Sequence, residues 1–276
     1  MTPSAQIATA AELIAQADAI AVTAGAGMGV DSGLPDFRGS QGFWKAYPAL
    51  QASGLQFEDV ASPRTFVSAP RTAWGFYGHR LRLYRGTVPH AGFQVLRRWA
   101  ERMLHGGWVY TSNVDGQFQK AGFDTQRIAE CHGSIHRLQC TGCDAAPWPA
   151  DTLTPDVDEA ACRWLGPLPS CPRCGALARP NILMFSDSGW KEDVAARQER
   201  ATEAWLRRVR RPLVVELGAG TAIPSVRRFG HRVIRDFGGR MLRINPRESA
   251  PPTTSDVGLA LGAAEALAAI DAVLSP

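Results

Sequence analysis

The chain has 276 residues, of which 45% are hydrophobic and 20% charged, a composition typical of globular proteins and not of disordered or fibrous ones. Its formal net charge of +4 comes from scattered arginines and is far below a nucleic-acid-binding footprint, so we expect no nucleic acid partner. No apolar run reaches the roughly 18 residues that cross a membrane, and no basic-then-apolar signal pattern opens the chain. We therefore expect a cytoplasmic protein with no membrane partner, in which cysteines serve metal or catalytic roles rather than disulfides. We also expect a monomer.

Predicted helices and strands alternate along most of the chain. A helix over 9–17, with Thr9 and Glu12 spaced as a capping box, precedes a strand over 19–23. Residues 34–62 have no clear period and are predicted to form a long loop. Further helices are predicted over 71–85, 89–104, 115–121, 191–209 and 262–274, and further strands over 107–111, 212–217 and 240–245. This alternation predicts an α/β fold with a doubly wound parallel sheet.

The interval 134–180 breaks this alternation and contains five of the six cysteines. We expect a small module there, inserted between 1–133 and 181–276, which together form the sheet domain. Two Cys-x-x-Cys pairs, with 27 residues between them, are predicted to bind zinc through four sulfur atoms: Cys140, Cys143, Cys171 and Cys174. Four protein ligands leave no open position, so this zinc is expected to be structural. Redox pairs are the alternative, and Cys131 and Cys162 are expected to be free thiols.

Two glycine-rich turns each follow a predicted strand, at 25–27 and at 218–220. Such turns can bind phosphate through backbone amides, although a tight turn without a ligand explains the first one equally well, because Val30 stands where a third glycine is usual. Two glycine-rich strand ends in one parallel sheet fit a ligand crevice at the carboxyl ends of the strands. Asn245, which ends the predicted strand at 240–245, either binds a ribose there or forms a turn before Pro246.

These motifs, in this order, resemble the sirtuin family over about residues 9 to 274. The most specific stretch is Gly-Ala-Gly-Met-Gly-Val-Asp-Ser-Gly-Leu-Pro-Asp-Phe-Arg-Gly at 25–39, followed in family order by 111–115, 130–134, the cysteine pairs, 180–185, 217–221 and 244–245. The resemblance implies a Rossmann-like NAD-binding domain with a small inserted zinc module. It also implies a protein lysine deacylase that uses NAD as co-substrate, acts on acyl-lysine proteins and releases nicotinamide and O-acyl-ADP-ribose.

The resemblance implies roles for individual residues as well. Pyrophosphate is expected at Ala24–Ala26, nicotinamide and its ribose near Asp36, and the adenosine ribose at Asn245. The full set of expected NAD contacts is Ala24, Gly25, Ala26, Asp36, Phe37, Arg38, Ser112, Asn113, Asp115, Gly218, Ala219, Gly220 and Asn245. Asn113, Asp115 and His132 are expected to be catalytic, with His132 as the general base that deprotonates a ribose hydroxyl. An imidazole suits this task because its ordinary pKa lies near physiological pH.

Tyr77 and Arg80 lie at positions i and i+3 of a predicted helix. They resemble the Tyr-x-x-Arg pair with which one class of sirtuins binds succinyl, malonyl or glutaryl lysine. The planar guanidinium matches a carboxylate with two parallel hydrogen bonds, so we expect acidic acyl groups as substrates. Plain deacetylation stays open, because a short acyl chain leaves the pair unused. On local grounds alone, the two residues would be a surface pair.

The chain departs from the family pattern at several places. Ser112 replaces a glutamine, Gly-Ala-Gly at 218–220 replaces Gly-Thr-Ser, and Phe-Ser-Asp at 185–187 replaces Phe-Gly-Glu. These changes keep two other functions open. One is an ADP-ribosyltransferase or NAD glycohydrolase on the same scaffold, and the other is an NAD sensor without enzymatic activity.

Overall fold

The computed structural model describes residues 2–36, 47–52 and 54–274 of the chain. The strands of these residues belong to three sheets. In chain order they are β1 (Ala19–Ala24), β2 (Gly107–Thr111), β3 (Ile128–Glu130), β4 (Gly133–Cys140), β5 (Trp148–Pro149), β6 (Val157–Asp158), β7 (Arg163–Trp164), β8 (Ala178–Ile182), β9 (Pro212–Leu217), β10 (Arg240–Ile244) and β11 (Val257–Leu259).

The main sheet confirms the predicted α/β architecture. Six strands pair in the order β11-β10-β9-β1-β2-β3, and every neighbouring pair is parallel. From β1 the chain first builds outward through β2 and β3, then returns to the other side of β1 with β9. The order of the strands therefore reverses between β1 and β9, and ligands of open α/β sheets bind at the carboxyl ends of the strands at such a point.

Helices cover both faces of this sheet. One face is covered by the helices Pro3–Gln16, Ala91–Glu101 and Ala263–Leu274, which pack on a core that includes Leu96, Phe118 and Leu267. The opposite face is covered by the helices Asp193–Leu206 and Ser225–Phe237, which pack around Trp205 and Phe229. The α-helices are α1 (Pro3–Gln16), α2 (Pro48–Ala52), α3 (Phe57–Val60), α4 (Pro63–Ser68), α5 (Pro70–Gly86), α6 (Ala91–Glu101), α7 (Gln117–Lys120), α8 (Asp193–Leu206), α9 (Ser225–Phe237) and α10 (Ala263–Leu274). Among the described residues, no helix combines the length and the apolar character required to span a bilayer.

The first helix begins earlier than predicted. Thr2 is its N-cap, and Oγ1 of Thr2 accepts a hydrogen bond from the N–H of Ala5 at 3.3 Å. Thr9 lies inside the helix and donates from its hydroxyl to the carbonyl of Ala5 at 3.0 Å, so the predicted capping box at Thr9 was wrong. The predicted long loop was also wrong in part, because α2 and α3 form within it.

A second layer lies beside the main sheet. In it, β4 pairs antiparallel with β5 and β8, while β6 and β7 form a separate ribbon. Helix α5 packs against β7, and Nε1 of Trp74 donates to the carbonyl of Ala178 at 2.9 Å. One hydrophobic core therefore joins residues before the inserted interval, such as Phe66 and Tyr77, to Trp164 within it. The module boundaries at 134 and 180 stay a prediction.

The close contact between α5 and this layer can be tested at Gly75. A β-carbon there would lie 2.1 Å from the carbonyl oxygen of Cys162, which is backbone and cannot turn away. We expect Gly75→Ala to lower the free energy of unfolding in urea by about 3 kcal/mol, the upper end for overpacked sites. Gly86→Ala is the matched control, because a β-carbon at Gly86 of the same helix meets nothing within 4 Å. The control is expected to be neutral or to stabilise by about 0.5–1 kcal/mol, and equal effects of the two substitutions would contradict the packing described here.

Candidate active site

The two glycine-rich turns lie in direct backbone contact. They follow β1 and β9, which pair so that Ala24 lies opposite Leu217. A β-carbon on Gly27 would lie 2.7 Å from Cα of Gly218, and one on Gly25 would lie 2.8 Å from Cα of Ala219. Gly218 also has φ of +56°, a conformation that favours glycine. Gly25, Gly27 and Gly218 are therefore required, because the backbone of the facing turn occupies the space that a β-carbon at each of them would need.

The backbone hydrogen bonds of these turns show which of the predicted amides can still bind a phosphate. The N–H of Gly25 donates to the carbonyl of Leu217 at 3.0 Å, and the N–H of Gly27 donates to Gly218 at 3.1 Å. Ala24 lies within β1, and its carbonyl accepts from the N–H of Ser112 at 3.2 Å. Ala26 opens a 3-10 helix, Ala26–Ser32, and the first amides of a helix have no acceptor within it. Of the three predicted residues, Ala26 is thus best placed to donate to a phosphate.

A cavity of about 680 Å³ opens from the glycine turns and extends toward the second layer. Its volume lies within the range of small-molecule sites. It brings together most of the predicted site residues: Gly25, Ala26, Asp36, Tyr77, Arg80, Ser112, Asn113, Asp115, His132, Gly218, Ala219 and Gly220. The predicted contacts Phe37 and Arg38 lie outside the described residues.

His132 is held at the wall of this cavity by its backbone. It lies between β3 and β4, and its carbonyl accepts from the N–H of Leu183 at 2.9 Å. The next residue, Gly133, has φ of +76°, and a β-carbon there would lie 2.1 Å from the carbonyl oxygen of Asn181. Nε2 of the imidazole lies 3.0 Å from Oγ of Ser225. Burial lowers the pKa of His132 below its ordinary value of 6.5, so the ring is a neutral base at physiological pH.

Asn113 and Asp115 follow β2 and line the same cavity. The side-chain amide of Asn113 donates to the carbonyl of Gly25 at 3.0 Å, which ties this loop to the first glycine turn. The carboxylate of Asp115 accepts from the N–H of Gln117 at 3.0 Å, and its carbonyl accepts from Nε2 of His136, also at 3.0 Å. Burial raises the pKa of Asp115 to about 6. Asp115 is therefore a fixed carboxyl group that ionises near neutral pH.

Asn245 acts on the second glycine turn. Its side-chain amide donates to the carbonyl of Ala219 at 3.0 Å, and its Oδ1 accepts from the N–H groups of Arg247 and Glu248, both at 3.0 Å. The carbonyl of Ala219 also accepts from the guanidinium of Arg227 at 2.9 Å. Asn245 and Arg247 both line a smaller cavity of about 100 Å³. Its contact with an adenosine ribose stays a prediction, whereas its role in the turn is seen directly.

Tyr77 and Arg80 are buried rather than a surface pair. Tyr77 is 1% exposed and Arg80 8% exposed, and both line the cavity from α5. Oη of Tyr84 accepts from Nε of Arg80 at 2.9 Å and from Nη2 at 2.6 Å. The guanidinium also lies 5.1 Å from the ring centroid of Phe76. The cavity therefore has a cationic group set in an aromatic part of its wall.

Two residues of the site were not found from the sequence. Tyr84 follows Arg80 by four residues on α5, and this helical spacing was the available signal. Ser225 follows the second glycine turn but belongs to no recognised motif. Its contact with His132 joins residues 93 positions apart and has no local signal in the sequence.

The changed stretch at 185–187 has a structural function in this chain. Ser186 adopts φ of +53°, at the position where the family pattern has glycine. The carboxylate of Asp187 is fully buried and forms two hydrogen bonds with Arg179, at 2.7 and 2.8 Å. It also accepts from the N–H of Met184, which lines the cavity. Asp187 thus fixes the backbone of the cavity wall.

The four predicted zinc ligands form one cluster. Their sulfur atoms all lie within 4.8 Å of one another. Sγ of Cys140 lies 3.5 Å from Sγ of Cys174, and Sγ of Cys143 lies 3.8 Å from Sγ of Cys171. A tetrahedral zinc with bonds of about 2.3 Å separates its sulfur ligands by about 3.8 Å. The N–H groups of Gly142 and Cys143 point at Sγ of Cys140, and Gly175 has the positive φ expected of the second turn. The residues fit a structural zinc ion.

The remaining cysteines are outside this cluster. Cys131 and Cys162 are both buried, and burial raises the pKa of each thiol to about 12. A thiol with so high a pKa is a poor nucleophile at neutral pH, because the thiolate is the reactive form. This geometry fits the prediction of free, unreactive thiols.

The four-cysteine cluster predicts a difference in zinc content between two cysteine variants. Cys171→Ala removes one sulfur ligand, so we expect the purified protein to lose its zinc and its melting temperature to fall. Cys162→Ala is the matched control, because Cys162 is buried in the same layer but lies outside the cluster. Elemental analysis is expected to give one zinc per chain for the control and for the unchanged protein. Zinc retained in full by Cys171→Ala would contradict the four-sulfur site.

Comparisons with known proteins agree with this geometry. The model of the Sir2 family matches residues 25–205. The NAD-dependent protein deacylase of Pyrococcus furiosus is 30% identical over 250 residues, which are 90% of this chain and 90% of the relative. NAD-dependent protein deacylase 2 of Pyrobaculum aerophilum is 30% identical over 258 residues, 93% of this chain and 91% of the relative. A solved Sir2 homologue in complex with ADP-ribose superposes with a TM-score of 0.68 at 26% identity, covering 96% of this chain and 97% of the other. The chain belongs to the Sir2 family, the sirtuins.

Proposed function

We propose that this protein is an NAD-dependent protein lysine deacylase with a preference for acidic acyl groups. The observation that supports the proposal best is that His132, Asp115 and Arg80 all line one cavity, which begins at the two glycine turns. Those three residues would serve proton transfer, the leaving group and the acyl group, respectively. Matched relatives named NAD-dependent protein deacylase support the same activity.

The glycine turns fit a dinucleotide. Their mutual contact excludes side chains, so a ligand meets backbone and not β-carbons at Gly25 and Gly218. The amide of Ala26 would donate to the pyrophosphate, and the loop of Ala219 would lie on its other side. When bound, NAD supplies a labile glycosidic bond between nicotinamide and ribose. The residues of the chain hold the reacting groups at this bond and exclude water from them.

His132 would take the proton from a ribose hydroxyl. Its ring is neutral at physiological pH because burial lowers its pKa, so it offers a lone pair to the hydroxyl proton. The ring does not need to lose a proton first. His132 would hold the transferred proton until a product or water accepts it.

The nicotinamide end would lie beside Asn113 and Asp115. Asn113 fixes the glycine turn through its bond to Gly25, and the carboxylate of Asp115 can accept a hydrogen bond from a carboxamide N–H. A nicotinamide held in this orientation departs more readily than one that is mobile and solvated.

The acyl group would reach the aromatic end of the cavity. Leu183 and Phe185 are partly exposed at the wall and can contact the aliphatic chain of an acylated lysine. Arg80 lies farther in, with its guanidinium held by the hydroxyl of Tyr84. A succinyl or malonyl carboxylate at this point would form charge-assisted hydrogen bonds in a site with little competing water. A cytoplasmic location and a monomeric state remain predictions.

Substitution of His132 tests the proposed base. We expect His132→Ala to lower kcat for acyl-lysine removal by about 100- to 10,000-fold, the usual contribution of a general base. The measurement is mass spectrometry of acylated peptides incubated with NAD. The matched control is His105→Ala, since His105 lies before β2, at the opposite end of the strand from the cavity. In the unchanged enzyme, kcat/KM is expected to fall with decreasing pH only below 6.5, because the neutral ring is the base and its pKa is lowered. Full activity of His132→Ala would rule out this assignment.

Substitution of Arg80 tests the acyl preference. Arg80→Met keeps an apolar chain of similar length but removes the guanidinium. We expect kcat/KM for succinyl-lysine peptides to fall by about 10- to 100-fold, the value of a hydrogen bond to a charged group, with acetyl-lysine activity within about threefold. Arg82→Met is the control on the same helix, because Arg82 pairs with Glu159 on the exposed side. A parallel loss of succinyl and acetyl activity in Arg80→Met would contradict the acidic-acyl preference without contradicting the proposed deacylase activity of the unchanged protein.

A further inference from the structure

Ser225 lies beside the proposed general base. Its Oγ is 3.0 Å from Nε2 of His132, and it is the first residue of α9. Ser225 follows Gly220, the last residue of the second glycine turn, by five residues. A serine inside a helix can donate to the carbonyl four residues earlier. The first residue of a helix has no such preceding turn, and the hydroxyl of Ser225 is directed to the imidazole instead.

A serine hydroxyl can bond an imidazole in both of its protonation states. Toward the neutral ring, Oγ either donates to the Nε2 lone pair or accepts from Nε2–H. Toward the imidazolium, Oγ accepts from Nε2–H, which is present whichever ring nitrogen received the proton. Hydrogen bonds to a charged partner are roughly twice as strong as those between neutral groups. The contact therefore stabilises the protonated ring more than the neutral ring.

We infer that Ser225 is a positioning residue that holds His132 and stabilises the proton it receives. The inference rests on the proposed function, in which His132 takes a proton from a ribose hydroxyl. The O–H bond breaks and its electron pair stays on the sugar oxygen, while the ring gains an N–H and a positive charge. Ser225 neither gains nor loses a proton in this step. It offsets part of the burial that lowers the pKa of His132.

Ionisable groups face this cavity from several elements. They include Arg80 of α5 and Asp115 after β2, with Asp36, Glu58 and Glu248 also in the wall. Glu130 ends β3, two residues before His132, and burial raises its pKa to about 7. Ser225→Ala changes none of these charges. A shift in the pKa of His132 in that variant would therefore report the hydrogen bond itself.

The test is an NMR titration of the histidine ring protons without NAD or peptide. His132→Gln assigns the resonance of His132 among the 6 histidines. We expect Ser225→Ala to lower the pKa of His132 by roughly half to one unit, and Ser225→Thr, which keeps the hydroxyl, to restore it. Ser225→Cys keeps the volume but is a weak acceptor, so it is expected to lower the pKa as well. Ser68→Ala, which removes an exposed hydroxyl from α4, is the control and should cause no shift.

The pH profile supplies the second readout. In Ser225→Ala, the acidic limb of kcat/KM should move to lower pH by the same amount as the pKa, with KM for NAD within about twofold of the unchanged enzyme. An unchanged pKa of His132 in both Ser225→Ala and Ser225→Cys would overturn the inference. So would an equal shift in Ser68→Ala. The unchanged enzyme separates the two claims: if it removes no acyl group, the proposed function fails, whereas normal activity with an unshifted pKa rejects only the role of Ser225.

Discussion

At the carboxyl ends of β1 and β9, the backbone of Gly25 and Gly27 lies against the backbone of Gly218 and Ala219, without room for a β-carbon at any of the three glycines. This contact occurs where the strand order of the sheet reverses, so the two turns diverge from a common point. The space between the departing segments is the origin of the cavity. A side chain at Gly27 or Gly218 would have to push the two strand ends apart, which the parallel pairing of β1 and β9 opposes.

The other residues of the site are bonded to these turns or to segments that leave them. Asn113 donates to the carbonyl of Gly25, and both Asn245 and Arg227 donate to the carbonyl of Ala219. His132 contacts Ser225, the first residue of α9, which follows the second turn along the chain. The neutral bonds among these are each worth only about 0.5–1.5 kcal/mol, and the bond from the charged Arg227 is worth about 1.5–3 kcal/mol. Together they give the cavity a defined wall before any ligand binds, which reduces the ordering cost of binding.

The sequence predicted the elements of the sheet better than it predicted the side-chain partners. The bounds of β2 and β9 match the predictions, because both are short apolar runs bounded by turn residues or charged residues. The start of α1 was missed because a proline at its first position and a threonine cap give a weaker signal than the apolar repeat that follows. The cysteine spacing predicted the four-sulfur cluster, since two short turns limit where the thiols can lie. The burial of Arg80, by contrast, depends on chain segments distant in the sequence that form the cavity wall around it, and no local pattern encodes that packing.

In the proposed reaction, this cavity joins the cleavage of NAD to the removal of an acyl group from lysine. The most direct test is a quantitative count of nicotinamide and of deacylated peptide in one reaction mixture, with and without the acylated peptide. We expect one nicotinamide for each acyl group removed, and almost none in the absence of the peptide. Nicotinamide released at a similar rate without the peptide, or ADP-ribose attached to protein, would contradict this coupling.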